Sequence, residues 1–165
     1  SEIKFWHIWA MIDPVEIQFP ILNLPSFQTK IKEENGKLMI LDYLRKKYLV
    51  LTPEEWVRQH WINYLIEGMS YPKGLFSLEK GLKYNQLSKR TDLVVFDREG
   101  EAFLLIECKA PSVKINQKTL TQALTYNKPL NCTHIILSNG FQHICMSFDK
   151  NKGEFVQKST VPKAP

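Results

Sequence analysis

Apolar positions change period several times along the chain, and each change marks an element. Trp56, Val57, His60, Trp61, Tyr64 and Leu65 recur three and four residues apart, the stripe of a helix that buries one face. Thr52-Pro53-Glu54-Glu55 supplies its start, with Thr52 as N-cap, Pro53 in the first turn and Glu55 three residues on to complete a capping box. The helix is expected to run to about Glu67 and stop at Gly68, with Glu55, Gln59 and Ile62 on an adjacent stripe. Upstream, residues 19–31 contain Pro20 and Pro25 and read as extended. Glu34-Asn35-Gly36-Lys37 is a turn signal before a strand at 38–41, and the basic stretch 43–48 reads as a short helical turn. Downstream the pattern shortens to strand-like runs at 75–84, 92–96 and 103–109. Asp97-Arg98-Glu99-Gly100 joins the last two, and Gly100 is free to take positive φ, so they form an antiparallel hairpin. Residues 117–127 return to a helical pattern. Strands follow at 133–137 and 143–148 around the Asn139-Gly140 turn, and 154–156 adds a last edge strand. This order implies an α/β domain, a mixed β-sheet flanked by helices.

Composition narrows the picture modestly. A chain of 165 residues with 44% hydrophobic and 12% aromatic content suits one globular core. A formal net charge of +5 permits a nucleic-acid partner and equally reads as ordinary solubility. Cys108, Cys132 and Cys145 are odd in number and widely spaced, so neither a zinc knuckle nor a disulfide framework is indicated, and a reducing cytoplasm is the expected compartment. No apolar run has the length of a membrane span, so no membrane partner is expected. The greasy segment 5–12 lacks a basic leading region and is not read as a signal peptide. No phosphate-cradling G-x-x-x-x-G-K-[ST] loop occurs.

The chemistry concentrates on the hairpin. Asp92 opens one strand; fifteen residues later Glu107-Cys108-Lys109 closes the next. Alternation along 103–109 points Glu107 and Lys109 one way and Cys108 the other. Charged groups at the end of an apolar strand are costly unless they have a partner or a task. Two carboxylates from neighbouring strands suit Mg²⁺, and a lysine beside them can orient or help deprotonate a metal-bound water, the chemistry of metal-assisted phosphodiester hydrolysis. The bland alternative stays open here: Asp92 paired with Arg90 or Lys89, and Glu107 with Lys109 as a structural ion pair. Gln122 and Tyr126 share a helical face. Lys80, Lys83, Lys89, Arg90, Lys114 and Lys118 flank the hairpin and read either as solvated surface or as phosphate contacts.

With these residues the chain resembles the PD-(D/E)XK nuclease superfamily, Asp92 matching the first acid and Glu107 and Lys109 the E-x-K; Thr91 stands where a proline is usual. The ordered run of Thr52-Pro53-Glu54-Glu55-Trp56-Val57-Arg58-Gln59, Glu79, Arg90-Thr91-Asp92, Glu107-Cys108-Lys109-Ala110-Pro111, Gln122, Tyr126-Asn127 and Ser138-Asn139-Gly140 is similar to the N-terminal nuclease domain of type I restriction endonuclease R (motor) subunits and its stand-alone relatives. The resemblance covers residues 22–149. It implies a restriction-endonuclease-like fold at 22–165 behind an N-terminal extension, 1–21, of unassigned role, and no ATP-driven motor in this stretch. It implies Mg²⁺-dependent cleavage of double-stranded DNA, with Mn²⁺ as substitute and other restriction–modification subunits as partners. Asp92, Glu107 and the Cys108 carbonyl would hold the metal, and Lys109 would act on the water. Gln122 and Tyr126 would position Lys109 and substrate, and Glu55 would reach back to the metal or its waters. Glu79 and Gln59 would support these groups from behind. The competing expectation is a DNA-binding or partner-docking module that keeps this fold without turnover of its own.

Overall fold

The computed structural model describes residues 19–77 and 92–165. Eight strands and two α-helices follow in the order β1 (Ile31–Glu34), β2 (Lys37–Leu41), β3 (Tyr48–Val50), α1 (Pro53–Asn63), β4 (Leu93–Phe96), β5 (Ala102–Cys108), α2 (Gln117–Leu130), β6 (His134–Ser138), β7 (His143–Asp149) and β8 (Glu154–Lys158). The larger sheet has the order β4-β5-β6-β7-β8. Its β5–β6 pair is parallel and the rest antiparallel. A parallel pair needs a crossover, and α2 supplies it, packed on β5 and β6. The sheet is therefore mixed, as the element order implies. A separate antiparallel sheet, β1-β2-β3, precedes it.

Two apolar clusters sandwich the larger sheet. Leu93, Val95, Leu104, Ile106 and Cys108 face Val57, Trp61, Ile62 and Leu65 of α1 and its continuation. Val94, Leu105, Ile135 and Leu137 face Leu120, Ala123 and Leu130 of α2. Phe103 departs from simple alternation. The β4–β5 register shifts between Val95 and Phe96, leaving Phe103 as an extra residue that turns to the α1 side beside Leu104. From Leu104 onward the two faces alternate.

Several local expectations need correction. Thr52 Oγ1 accepts from the Glu55 N–H at 3.1 Å, so the cap forms. Glu55's side chain, however, turns inward to Arg58 and Gln59 instead of back to the cap. The α-helix ends at Asn63 and continues as a π-helical turn, Tyr64–Gly68. Residues 43–45 do form a single helical turn within the β2–β3 connection, the Lys46 N–H donating to the Asp42 carbonyl at 3.0 Å, and it stops there because Lys46 is left-handed at φ 56°. Lys73–Leu75 is a 3-10 turn; Phe76 bridges to Val95 and the Ser77 N–H donates to the Val94 carbonyl at 2.9 Å, while residues 78–84 of the expected strand lie outside the described residues. Helix α2 runs three residues further than expected and includes Pro129.

The first described residues, Phe19 and Pro20, are seated on α1. Phe19 packs edge-on against Trp56, whose indole N–H donates to the Pro20 carbonyl at 2.9 Å. At the other end Tyr71 donates to the Pro162 carbonyl at 2.6 Å, and Val161 and Ala164 cover the α1-side cluster. Among the described residues, no helix is long and apolar enough to cross a membrane.

Candidate nuclease site

The carboxyl ends of β5 and β6 lie side by side because their parallel register runs to Cys108 opposite Ser138. Open α/β sheets tend to bind ligands beyond such strand ends. Glu107 is in the last pair of β5 residues. Leu93 pairs with Ile106, so the next position of the antiparallel ladder sets Asp92 across from Glu107. Residues opposite one another point to the same face. That face is α2's, since Val94 and Leu105, two residues from each acid, belong to the α2-side cluster. Asp92 is 5% exposed and Glu107 3%. Lys109 follows on the same side of the chain, its Nζ 3.0 Å from Glu107 Oε1.

The Cys108 peptide is oriented by β6. The Lys109 N–H donates to the Ser138 carbonyl at 2.8 Å. In a trans peptide the preceding carbonyl points the opposite way, which directs the Cys108 oxygen toward β4, the strand that Asp92 precedes. The Cys108 thiol lies on the other face. Burial pushes its pKa well above normal, and the charges of Asp92, Glu55 and Glu107 raise it further against Arg58, so it is no nucleophile. Its side chain belongs to the apolar cluster between the sheet and α1.

The Ser138-Asn139-Gly140 turn braces the lysine's strand end. Ser138 Oγ accepts from the Gly140 N–H at 3.0 Å and donates to His143 Nδ1 at 2.7 Å, while His143 Nε2 donates to the Asn23 carbonyl at 2.9 Å. Burial lowers the His143 pKa, which fits this neutral tautomer. Asn139 donates to the Val113 carbonyl at 2.8 Å, tying down the loop after Lys109, and its oxygen accepts from the N–H groups of Phe141 and Gln142. Asn127 forms a reciprocal pair of 3.0 Å bonds with the backbone of Cys132, closing the end of α2.

Behind the α1 face lies a buried polar network that sequence reasoning missed. Arg58 Nη1 is 2.9 Å from Glu55 Oε1 and 3.6 Å from Asp42 Oδ1. Gln59 Nε2 donates to both acids, at 2.7 Å to Glu55 and 2.8 Å to Asp42, and its oxygen accepts from the Tyr43 N–H. The spacing of Arg58 three residues after Glu55 was the available signal; Asp42 left none. Burial raises the Glu55 pKa more than Arg58 and Gln59 lower it. Glu55 and Gln59 are therefore engaged with each other and with Arg58.

The remaining expected residues are spread out. Gln122 is exposed on α2, and Tyr126 is half-buried against the α2-side cluster, on the sheet face that carries Asp92 and Glu107. Lys114 and Lys118 are exposed in the loop before α2 and in its first turn. Glu79, Lys80, Lys83, Lys89 and Arg90 lie outside the described residues.

Residues 53–162 match the family model described as type I restriction enzyme R protein N terminus (HSDR_N). The chain belongs to this family. No curated protein and no solved structure matches it. The R-protein match begins at the first residue of α1 and ends beyond β8. It contains Asp92, Glu107, Lys109, all of α2 and the Ser138–Gly140 turn, and it leaves β1–β3 outside. The sequence resemblance, by contrast, spans residues 22–149.

Proposed function

We propose that this R-protein N-terminal domain hydrolyses DNA phosphodiester bonds with the help of a divalent metal, Mg²⁺ or in its place Mn²⁺, through a PD-(D/E)XK-type site. The observation that carries the reading is the placing of Asp92 across from Glu107 on one sheet face, with the Lys109 ammonium 3.0 Å from Glu107. The donor set fits a hard cation. Among the described residues no group of three His, Cys, Asp or Glu side chains could hold a metal, but Mg²⁺ commonly takes one or two carboxylates and completes its shell with waters and substrate phosphate. Asp92, Glu107 and the Cys108 carbonyl would hold it. Such a cation, when bound, lowers the pKa of water and offsets charge on a phosphoryl oxygen.

The chain's own residues have separable tasks in this reading. Lys109 keeps a positive charge beside Glu107, where it orients the attacking water and stabilises charge as the pentavalent phosphorus forms. Ser138 and Asn139 hold the backbone on either side of Lys109, which fixes the direction of its side chain. Tyr126, packed on the α2-side cluster, and Gln122, one helical turn before it, would meet substrate or Lys109. Glu55 acts from the α1 side. Lys114 and Lys118 would meet phosphates. The DNA and any restriction–modification subunits are the partners this reading requires.

Incubating the purified chain with supercoiled plasmid and Mg²⁺ or Mn²⁺ tests it. Nicked circles supports the proposal. A gel shift with intact plasmid contradicts turnover and identifies a binding module of the same family.

A further inference from the structure

A second group of cations lies on the α1 side of the sheet. The β2–β3 connection carries Arg45, Lys46 and Lys47, and the 3-10 turn brings Lys73 beside it. The ammonium groups of Lys46 and Lys73 lie 5.0 and 4.9 Å from the centroid of one ring, that of Tyr43. Lys46, Lys47 and Lys73 are all exposed. A ring face attracts each ammonium, but two like charges on one ring repel each other. The neighbouring acid, Glu67, accepts from the Tyr43 hydroxyl.

The loop is built to hold this arrangement. Asp42, fully buried, accepts from the Arg45 N–H at 3.2 Å and meets the Arg45 guanidinium at 3.3 Å. Its backbone bonds both Lys46 and Lys47, at 3.0 and 2.8 Å. Lys46 takes a left-handed φ of 56°, a strained choice for a residue with a side chain, where glycine would be relaxed but uncharged. Through Asp42 the loop is bonded to Gln59 and Arg58, and so to Glu55. The basic loop is thus tied by buried polar bonds to α1, the helix that packs on β5.

We propose that Lys46, Lys47 and Lys73 grip the phosphate backbone of duplex DNA on the α1 side of the sheet. This deepens the nuclease reading and rests on it for the identity of the polyanion. A phosphate set among these ammonium groups relieves their mutual repulsion. Contacts of this kind add affinity that depends on salt and is blind to sequence.

The test is fluorescence anisotropy of the full chain with a short labelled duplex, in EDTA, over a series of salt concentrations. The native chain is compared with the Lys46→Gln/Lys73→Gln double variant and with Lys46→Arg/Lys73→Arg. Both variants change only exposed side chains, and circular dichroism checks their folding. The log–log salt slope should fall by about 0.9 for each lost phosphate contact, so by nearly two in the glutamine variant, and stay near native in the arginine variant. A native slope in the glutamine variant overturns the proposal, as does a native chain that fails to bind at low salt. Because no metal is present, the outcome is separate from cleavage. A chain that binds through these lysines but never nicks plasmid overturns the nuclease reading alone. One that nicks while the glutamine variant binds as native does overturns this proposal alone.

Discussion

At the scale of single residues, the spacing of Asp92, Glu107 and Lys109 was legible because strand alternation is a short-range rule. It needs only the identity of nearby residues and a turn of known length. The Asp42–Glu55–Arg58–Gln59 network was not, because its members come from two segments whose meeting depends on how β2 packs on α1. Glu55 shows the cost of a purely local reading. Its place after Thr52 suggests a capping role, but its side chain is drawn inward by Arg58 and Gln59. Arg58 is 2% exposed and serves two buried acids. Arg58→Met should therefore destabilise the fold by about 3–5 kcal/mol in urea unfolding, since it leaves Glu55 buried without its cation and Asp42 with Arg45 alone. A loss below about 1 kcal/mol would mean that Gln59 and Arg45 satisfy both acids unaided.

At the scale of elements, the long periodic segments were read well and the short exposed ones poorly. Helix α1, the β4–β5 hairpin, α2 and the β6–β7 pair each carry an apolar face that shows in the sequence. Strand β1 is exposed at all four positions and β3 has only three residues, so neither leaves a burial pattern to read. The β-bulge at Phe103 was equally invisible, because it depends on register with β4. Among the turns, Ser138-Asn139-Gly140 has the clearest demand on its residues. Gly140 has φ of 88°, and a Cβ there would come 2.7 Å from Leu22 Cδ2. Gly140→Ala should cost more than about 1 kcal/mol, since it combines an unsuitable backbone angle with displacement of Leu22. It should also slow nicking, because the same turn braces the Lys109 backbone through Ser138. Thermal unfolding together with a plasmid assay checks both; native stability would show that Leu22 and the turn yield freely.

At the scale of the whole molecule, the element order implied a mixed α/β sheet, and the structure has one, together with a small antiparallel sheet that the pattern marked with a single strand. The family match covers the larger sheet and both helices and supports a role in restriction; the metal, the DNA and the catalytic division of labour are proposals built on the hairpin. One global property follows from burial. His60, His134 and His143 all have pKa values lowered from 6.5, chiefly by desolvation. A depressed folded-state pKa means that the unfolded chain takes up protons first as pH falls. The stability these neutral rings contribute is present above 6.5 and is lost on acidification below it. Urea midpoints should accordingly decline from neutral pH toward pH 5, and a flat profile over that range would contradict the assignment of buried neutral histidines. The central claim, that Asp92, Glu107 and Lys109 form a hydrolytic site, is tested most directly by the rate at which native chain and Lys109→Ala, purified in parallel, nick supercoiled plasmid in saturating Mg²⁺ or Mn²⁺. The account predicts a native rate reduced about 10²–10⁴-fold in the variant with folding intact. Equal rates in the two preparations would contradict it.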